Sequence, residues 1–206
     1  MKKKPILFHK IANSHQGAKR EVIGLIGTHH GVGVTHTGLM LAFYMGEEMG
    51  KKTAFLECNR HHDMALIQQG YEWSKEDELS CSFHMVSCKR EVCTNQISDI
   101  LCDDYECIIM DFGIDFSSNK EEFFRCSTKI VISGRSLWDR QKLISFSDAA
   151  RGIKGSDTWL YFVPQTNDKT VLKISNEVGH RVYAVPINEE PTLPSYTTNH
   201  FFDSIF

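Results

Sequence analysis

The sequence lacks the features that would place it in a membrane or among disulfide-stabilised secreted domains. Its longest uninterrupted apolar run, Leu39 to Met45, is far shorter than the ~20 residues that span a bilayer. It has an odd number of cysteines, seven, and no C-x-x-C pair, which favours reduced thiols over a disulfide framework or a structural zinc site. The basic start, Lys2 to Lys4, leads into no signal-peptide core. We therefore expect a cytoplasmic protein without a transmembrane segment.

The chain also lacks an excess of positive charge. Its 23 Lys and Arg residues stand against 26 Asp and Glu residues, for a formal net charge of −3, and its pI is near 6.4. A dedicated nucleic-acid-binding domain is usually basic, so we do not expect a nucleic acid as a partner. The first 20 residues are an exception, with six Lys and Arg and no acidic residue. We interpret residues 1–20 as a basic N-terminal extension.

Strand and helix patterns alternate along residues 21–190, without an internal repeat or a low-complexity tract. Predicted strands cover residues 22–27, 53–56, 83–86, 106–112, 129–133, 158–163 and 182–186. Predicted helices cover residues 35–49, 96–101, 120–126, 137–150 and 169–178. This order predicts an α/β fold, a doubly wound, mostly parallel sheet of six to eight strands with helices on both faces.

Residues 191–206 form an aromatic C-terminal tail with little charge. Two interpretations are open: a helix packed on the domain, or a docking peptide for a partner or a second subunit. The tail has no Lys or Arg for the polar face of a membrane-binding helix, so we expect peripheral membrane contact only through partners.

The segment between the first predicted strand and the first predicted helix has the composition of a phosphate-binding loop. It reads G-T-H-H-G-V-G-V-T-H over residues 27–36. Glycines allow the backbone N–H groups to turn inward toward an anion, and the hydroxyl of Thr35 is of the type that binds Mg²⁺. The lysine that precedes this hydroxyl in G-x-x-x-x-G-K-[ST] is replaced by Val34.

The loop resembles that of the ParA/MinD family of P-loop ATPases, which includes the TadZ-like positioning proteins of pilus loci and whose loop reads K-G-G-V-G-K-T-T. The positions that match are Gly31, Val32, Gly33 and Thr35. The positions that depart are His29 and Val34 in place of the two lysines, His30 in place of a glycine and His36 in place of a threonine.

Later segments resemble the same family. Residues 55–59, F-L-E-C-N, lie where the family has a strand ending in D-x-D, and residues 105–111, Y-E-C-I-I-M-D, look like its second acidic strand. Residues 163–167 follow the strand whose end contacts adenine in the family, and residues 185–186 resemble its late V-P segment.

The resemblance implies a site for ATP or ADP with Mg²⁺. The implied catalytic residues, which would orient water, are Glu57 and Asp111, and the implied metal-binding residues are Thr35 and Asp111. The implied nucleotide-binding residues are His29, His30, Gly31, Val32, Gly33, Val34, Thr35, His36, Gln165 and Asn167. Without the resemblance, Asp111 would be interpreted as a turn carboxylate and the loop as a helix-capping turn.

The resemblance implies a P-loop NTPase-like domain over residues 21–190 that acts as a positioning or assembly factor. We expect an atypical P-loop with weak or absent ATP hydrolysis, because both phosphate-contacting lysines are missing. A nucleotide-free scaffold that acts by protein–protein interaction and an active ATPase with an unorthodox loop are the alternatives. A homodimer and a protein partner in a localised assembly are implied. His29 in the first lysine position argues against a dimer switched by a lysine that reaches across subunits.

A second cluster, His61, His62 and Asp63 with Cys58, suggests a metal site. Adjacent side chains on a helix point about 100° apart and cannot easily share one ion, so we interpret this segment as a surface loop.

Overall fold

The computed structural model describes residues 20–70, 74–75 and 77–206. Its strands are β1 (Glu21–Gly27), β2 (Thr53–Glu57), β3 (Ser74–Lys75), β4 (Ser80–Phe83), β5 (Val86–Lys89), β6 (Cys107–Asp111), β7 (Thr128–Ile132), β8 (Leu160–Pro164) and β9 (Val182–Val185). Its helices are α1 (Val34–Phe43), α2 (Asp63–Gly70), α3 (Thr94–Ile100), α4 (Phe116–Arg125), α5 (Leu137–Ala150), α6 (Asp168–Val178) and α7 (Tyr196–Asp203). The predicted basic extension lies outside the described residues except for Arg20.

The strands form one sheet in the order β3-β4-β5-β2-β6-β1-β7-β8-β9. Every pairing is parallel except the two that involve β4. The predicted doubly wound, mostly parallel α/β sheet is therefore confirmed. The described part of the sheet has nine strands, one more than the upper end of the expected range, because β3, β4 and β5 form a short antiparallel extension at one edge.

Side chains of the strands alternate between two hydrophobic cores. In β1, Ile23 and Leu25 belong to the core that α1, α2 and α7 cover, whereas Ile26 belongs to the core that α3 to α6 cover. In β6, Ile109 belongs to the first of these cores and Ile108 to the second. Strands covered on both faces show continuous burial, as in β2 and β6, where every residue is buried.

Several element predictions hold and one is wrong. The predicted helix over residues 137–150 coincides with α5, and the predicted helix over residues 35–49 corresponds to α1 continued by a π-helical turn (Tyr44–Glu48). The predicted strand over residues 83–86 is wrong, because Phe83 and Val86 close a hairpin across a two-residue turn in which His84 has a positive φ of 51°. His61 and His62 lie in an exposed loop as predicted, whereas Asp63, counted with that loop, begins α2.

The C-terminal tail packs on the domain. Phe202 on α7 is fully buried and its ring lies 5.2 Å from that of Tyr44, whose hydroxyl donates a 2.7 Å hydrogen bond to Asp203. Of the two interpretations of the tail, the structure shows the packed helix. Among the described residues, no helix is long and apolar enough to cross a bilayer.

Parallel pairing brings the carboxyl ends of β1, β2, β6, β7 and β8 to the same edge of the sheet. The loops that follow these strands carry the candidate site residues, so the topology gathers them into one region.

Candidate functional site

The loop between β1 and α1 is fixed at both ends. Gly31 and Gly33 have positive φ values of 76° and 88°, and Gly33 is the N-terminal cap of α1. The backbone N–H of Gly27 donates to Gly113 after β6, and that of Thr28 donates to Ile132 at the end of β7. The loop therefore lies at the carboxyl end of the sheet. The free backbone N–H groups at the N-terminus of α1 follow the last residue of the loop.

Val34, which the sequence interpretation placed at the phosphate-binding lysine, is buried. Only 7% of its surface is exposed, and it belongs to the core under α1. A Cβ atom at Gly27 would lie 2.7 Å from Val34 Cγ2, so the absence of a side chain at Gly27 makes room for it. This position therefore contributes packing to the domain and no charge to the loop.

Thr35 and Asp111 meet beneath the loop. The Thr35 hydroxyl lies 2.7 Å from Asp111 Oδ2 and 3.2 Å from Asp63 Oδ2. The other carboxylate oxygen of Asp111 accepts a 2.8 Å hydrogen bond from the backbone N–H of Gly113. Asp111 is fully buried, and this burial raises its pKa to about 6 despite the hydrogen bonds from Thr35 and Gly113.

Glu57 lies beside Asp111 on the neighbouring strand, in direct register with it. Its Oε1 accepts a 3.0 Å hydrogen bond from the backbone N–H of Met64, whereas its buried Oε2 has no hydrogen-bond partner. Burial raises the pKa of Glu57, and the nearby Asp63 acts in the same direction. The strand ends therefore concentrate negative charge that a cation would offset.

The oxygen atoms at this point suit Mg²⁺, which prefers carboxylate and hydroxyl ligands. Two carboxylates, from Asp63 and Asp111, surround the Thr35 hydroxyl, which has a single proton to donate. Within the described ranges, no group of three or more His, Cys, Asp or Glu side chains is arranged to hold a metal ion. These three residues fit an ion whose remaining ligands come from water or a bound phosphate.

The loop histidines point in three different directions. His29 Nε2 lies 2.8 Å from Asp139 Oδ1 on α5, and His30 packs edge-on against His61 with a ring separation of 4.8 Å. His36 Nε2 donates a 2.7 Å hydrogen bond to the carbonyl of Asn188. The loop therefore contacts three separate segments of its own chain.

Two cavities flank the loop. Cavity A, of about 340 Å³, is lined by Gly31, Val32, Gly33, His36, Thr37, Met40, Gly134, Arg135, Asp139, Pro164, Gln165, Val185, Pro186 and Asn188. Cavity B, of about 590 Å³, is lined by residues 29–36 together with His61, Asp63, Leu66, Ile67, Gly113 and Ile114. Both share the loop residues 31–33 and His36, so the loop separates two adjoining spaces of ligand size.

Of the two residues predicted after β8, only one lines a cavity. Gln165 adopts a positive φ of 54° on the wall of cavity A, and its carbonyl accepts a 2.9 Å hydrogen bond from Arg135. Asn167 does not line either cavity; its side chain caps α6 by accepting a 3.0 Å hydrogen bond from the backbone N–H of Thr170.

No protein-family model and no curated protein sequence matches the chain. Solved structures do match it. A ParA family ATPase from Chlorobium tepidum is 11% identical with a TM-score of 0.62 over 92% of this chain and 93% of that one. A plasmid partition protein from Borrelia burgdorferi, bound to AMPPNP, is 12% identical with a TM-score of 0.64, and the match covers 91% of this chain and 100% of that one. The MinD protein of Pyrococcus horikoshii, in complex with Mg-ADP, is 12% identical with a TM-score of 0.61, and the match covers 89% of this chain and 93% of that one.

The chain has the ParA/MinD fold. The similarity spans 89% to 92% of this chain and 93% to 100% of the matched structures.

Within the ParA/MinD fold, the structure adds residues that the sequence interpretation missed. Asp63 reaches Thr35 from the start of α2, and Asp139 and Arg135 line cavity A from the start of α5. The S-x-x-D spacing of Ser136 and Asp139 is a helix-start signal that was available in the sequence. No local signal shows that Asp139 would meet the loop, because that contact joins segments far apart in the chain.

Proposed function

We propose that this chain is a nucleotide-binding positioning or assembly factor of the ParA/MinD type, with weak or absent ATP hydrolysis. The observation that carries the proposal is the 2.7 Å contact between the Thr35 hydroxyl and buried Asp111, directly beneath a glycine-containing loop that opens a helix. The hydroxyl and the carboxylate are the two side chains that a Mg²⁺–nucleotide complex needs at this place.

The proposed ligand is ATP or ADP with Mg²⁺. Thr35, Asp63 and Asp111 would hold the ion, which when bound would neutralise carboxylate charge and polarise phosphate oxygens. The backbone N–H groups of the loop would donate to phosphate, and the walls formed by Gln165 and Arg135 would enclose the nucleoside.

Weak or absent hydrolysis follows from the charges around the loop. Val34 is packed in the core and His29 is engaged with Asp139, so neither lysine position offers a free cation to a phosphoryl group. Phosphoryl transfer depends mainly on positioning and on neutralising charge, so the lack of a free cation at both positions disfavours hydrolysis. In this proposal, Glu57 and Asp111 orient water in any residual hydrolysis.

A nucleotide-free scaffold is the second candidate. The burial of Val34 against Gly27 favours it, because this packing turns a phosphate-binding position into part of the core.

The proposal includes a homodimer and a protein partner. The apolar side chains of Leu137 and Trp138, at the start of α5 beside the loop, support an interface, because they are 68% and 77% exposed. Sedimentation of the protein with and without Mg-ATP measures the oligomeric state, and Trp138→Glu should shift any dimer toward monomer.

Calorimetric titration with Mg-ATP and with Mg-ADP tests the nucleotide site. We expect binding that Thr35→Ala weakens by about tenfold or more, through the loss of one metal ligand. The matched control is Thr197→Ala, since Thr197 is exposed on α7 and lines neither cavity.

Absence of binding by a folded sample would reject the nucleotide-binding proposal and leave the scaffold. If nucleotide binds, phosphate release is measured next. Release that is rapid and is abolished by Asp111→Asn would identify an active ATPase instead.

A further inference from the structure

A chain of hydrogen bonds leads from the backbone of Asp139 through Ser133 to the Thr28 hydroxyl. The hydroxyl of Ser133 lies 3.2 Å from the backbone carbonyl of Asp139, which can only accept, so Ser133 donates there. Thr28 Oγ1 lies 3.0 Å from Ser133 Oγ, whose single proton is already engaged, so Thr28 donates to Ser133. The oxygen of Thr28 then has only lone pairs left for other neighbours.

This direction sets the role of His29 Nδ1 in its contact with Thr28. His29 Nδ1 lies 2.9 Å from Thr28 Oγ1, so it donates to Thr28 in the arrangement in which Thr28 donates to Ser133. His29 Nε2 lies 2.8 Å from Asp139 Oδ1, and a carboxylate accepts. In this arrangement both ring nitrogens donate, as they do in an imidazolium.

The carboxylate that contacts His29 belongs to Asp139, in the first turn of α5. The other oxygen of Asp139 accepts a 2.9 Å hydrogen bond from the backbone N–H of Ser136, in a capping box. Partial burial works against ionisation, but the bonds from Ser136 and the nearby His29 hold the pKa of Asp139 below its usual range. A Cβ atom at Gly134 would lie 2.2 Å from Asp139 Oδ2, so glycine at this position leaves room for the carboxylate.

The pair lies between the two cavities, with both side chains only 19% exposed. The titratable or charged groups around it are those that line the same cavities: His30, His36, His61, Asp63 and Arg135. Asp139 itself lines cavity A together with the loop glycines Gly31 and Gly33. A negative charge thus stands beside the loop that would receive an anion.

We propose that His29 is an imidazolium bound to Asp139 of the same chain, and that Asp139 acts there as an internal competitor that weakens the binding of anionic ligands to the loop. The competitor role rests on the proposed nucleotide site, whereas the ion pair stands on the geometry alone. The pair regulates the site because Asp139 neutralises the charge of His29, which lies in the loop.

The ion pair is tested by nitrogen-detected NMR of the histidine rings of the full chain at pH 7, with His29→Gln to assign the signals. We expect both ring nitrogens of His29 to carry protons, and Asp139→Asn to change that signal while Asp148→Asn, on the exposed side of α5, leaves it unchanged. A neutral His29 ring in the unmodified protein would overturn the proposal.

The competitor role is tested by titration with Mg-ATP and with sodium tripolyphosphate at pH 6, where an unpaired imidazole, with a pKa of about 6.5, is mostly charged. Asp139→Asn should bind more tightly and His29→Gln more weakly, each by about threefold or more, because each variant changes the charge of the site by one unit in opposite directions. The double variant should lie near the unmodified protein.

A merely structural role for the pair predicts weaker binding in both single variants, and that result would overturn the competitor role. If no variant binds either anion while His29 is doubly protonated, the ion pair stands and both the competitor role and the proposed nucleotide site fail. The NMR and titration results therefore separate the two proposals.

Discussion

At the scale of single residues, the site is dominated by carboxylates that the sheet holds out of water. Asp111 and Glu57 are adjacent in register and fully buried. Burial of a carboxylate disfavours its charged form, which is why the pKa of each is raised. Burying these carboxylates at the edge of the sheet therefore lowers the free energy of unfolding at neutral pH.

Asp111→Asn should reveal this effect as a pH-dependent gain in stability. The pKa of Asp111 is about 6 in the folded protein, and a carboxyl in an unfolded chain titrates near ~3.9. The wild-type side chain therefore loses its favourable contribution as the pH rises through this window. The variant should gain about 2 kcal/mol relative to wild type between pH 4 and pH 8, measured by urea unfolding.

The control for this prediction is Asp99→Asn, an exposed carboxylate on α3. Its stability difference from wild type should stay within about 0.5 kcal/mol across the same range. An Asp111→Asn difference that does not vary with pH would contradict the burial argument.

At the scale of elements, local signals explain which predictions hold. The start of α5 carries the capping box of Ser136 and Asp139, and its stripe of Leu143, Phe146 and Ala150 has helical spacing, so its bounds could be read directly. The hairpin of β4 and β5 could not, because Phe83 and Val86 look like one short strand when the turn between them is His84 and Met85 rather than glycine or asparagine.

Ser136→Ala tests how much that capping box contributes. The hydroxyl accepts a 3.2 Å hydrogen bond from the backbone N–H of Asp139, and its loss should lower the free energy of unfolding by about 1 kcal/mol. Thermal and urea unfolding measure the change. Ser145→Ala is the matched control on the same helix: its exposed hydroxyl only bonds back to Gln141, so its removal should be neutral or slightly stabilising. Equal losses in the two variants would contradict the capping role.

At the scale of the whole molecule, the fold could be predicted more fully than the site. Alternating strands and helices are local patterns that lead to the sheet class, and the loop at residues 27–36 leads to Thr35, whereas Asp111 was implied only by the family resemblance. The contacts of Thr35 with Asp63 and of His29 with Asp139 join segments that are distant in sequence, so no periodicity or spacing reveals them.

One sheet connects the two cores, so a substitution that destabilises one core should also lower the unfolding midpoint of the other. Phe202→Ala removes a fully buried ring beneath α7 and should lower the free energy of unfolding by about 3 to 5 kcal/mol. Trp159 lies in the opposite core, and with the other two tryptophans replaced by phenylalanine its fluorescence reports on that core. Its unfolding midpoint should shift as far as the midpoint from circular dichroism.

Tyr196→Ala is the control for this test, because that side chain on the same helix is 84% exposed. It should leave both midpoints nearly unchanged. A Trp159 midpoint that stays in place while the circular dichroism midpoint moves would show that the two cores unfold separately.

The parallel topology has a consequence for the electrostatics of the backbone. Six helices, α1 to α6, begin just after strands whose carboxyl ends lie at the same edge of the sheet or at its extension. Each helix carries the equivalent of roughly half a positive elementary charge at its N-terminus, because its peptide dipoles are aligned. The edge is therefore electropositive through its main chain, even though the formal charge of the protein is −3. This field offsets part of the repulsion among Glu57, Asp63 and Asp111, and no side-chain substitution in the loop removes it.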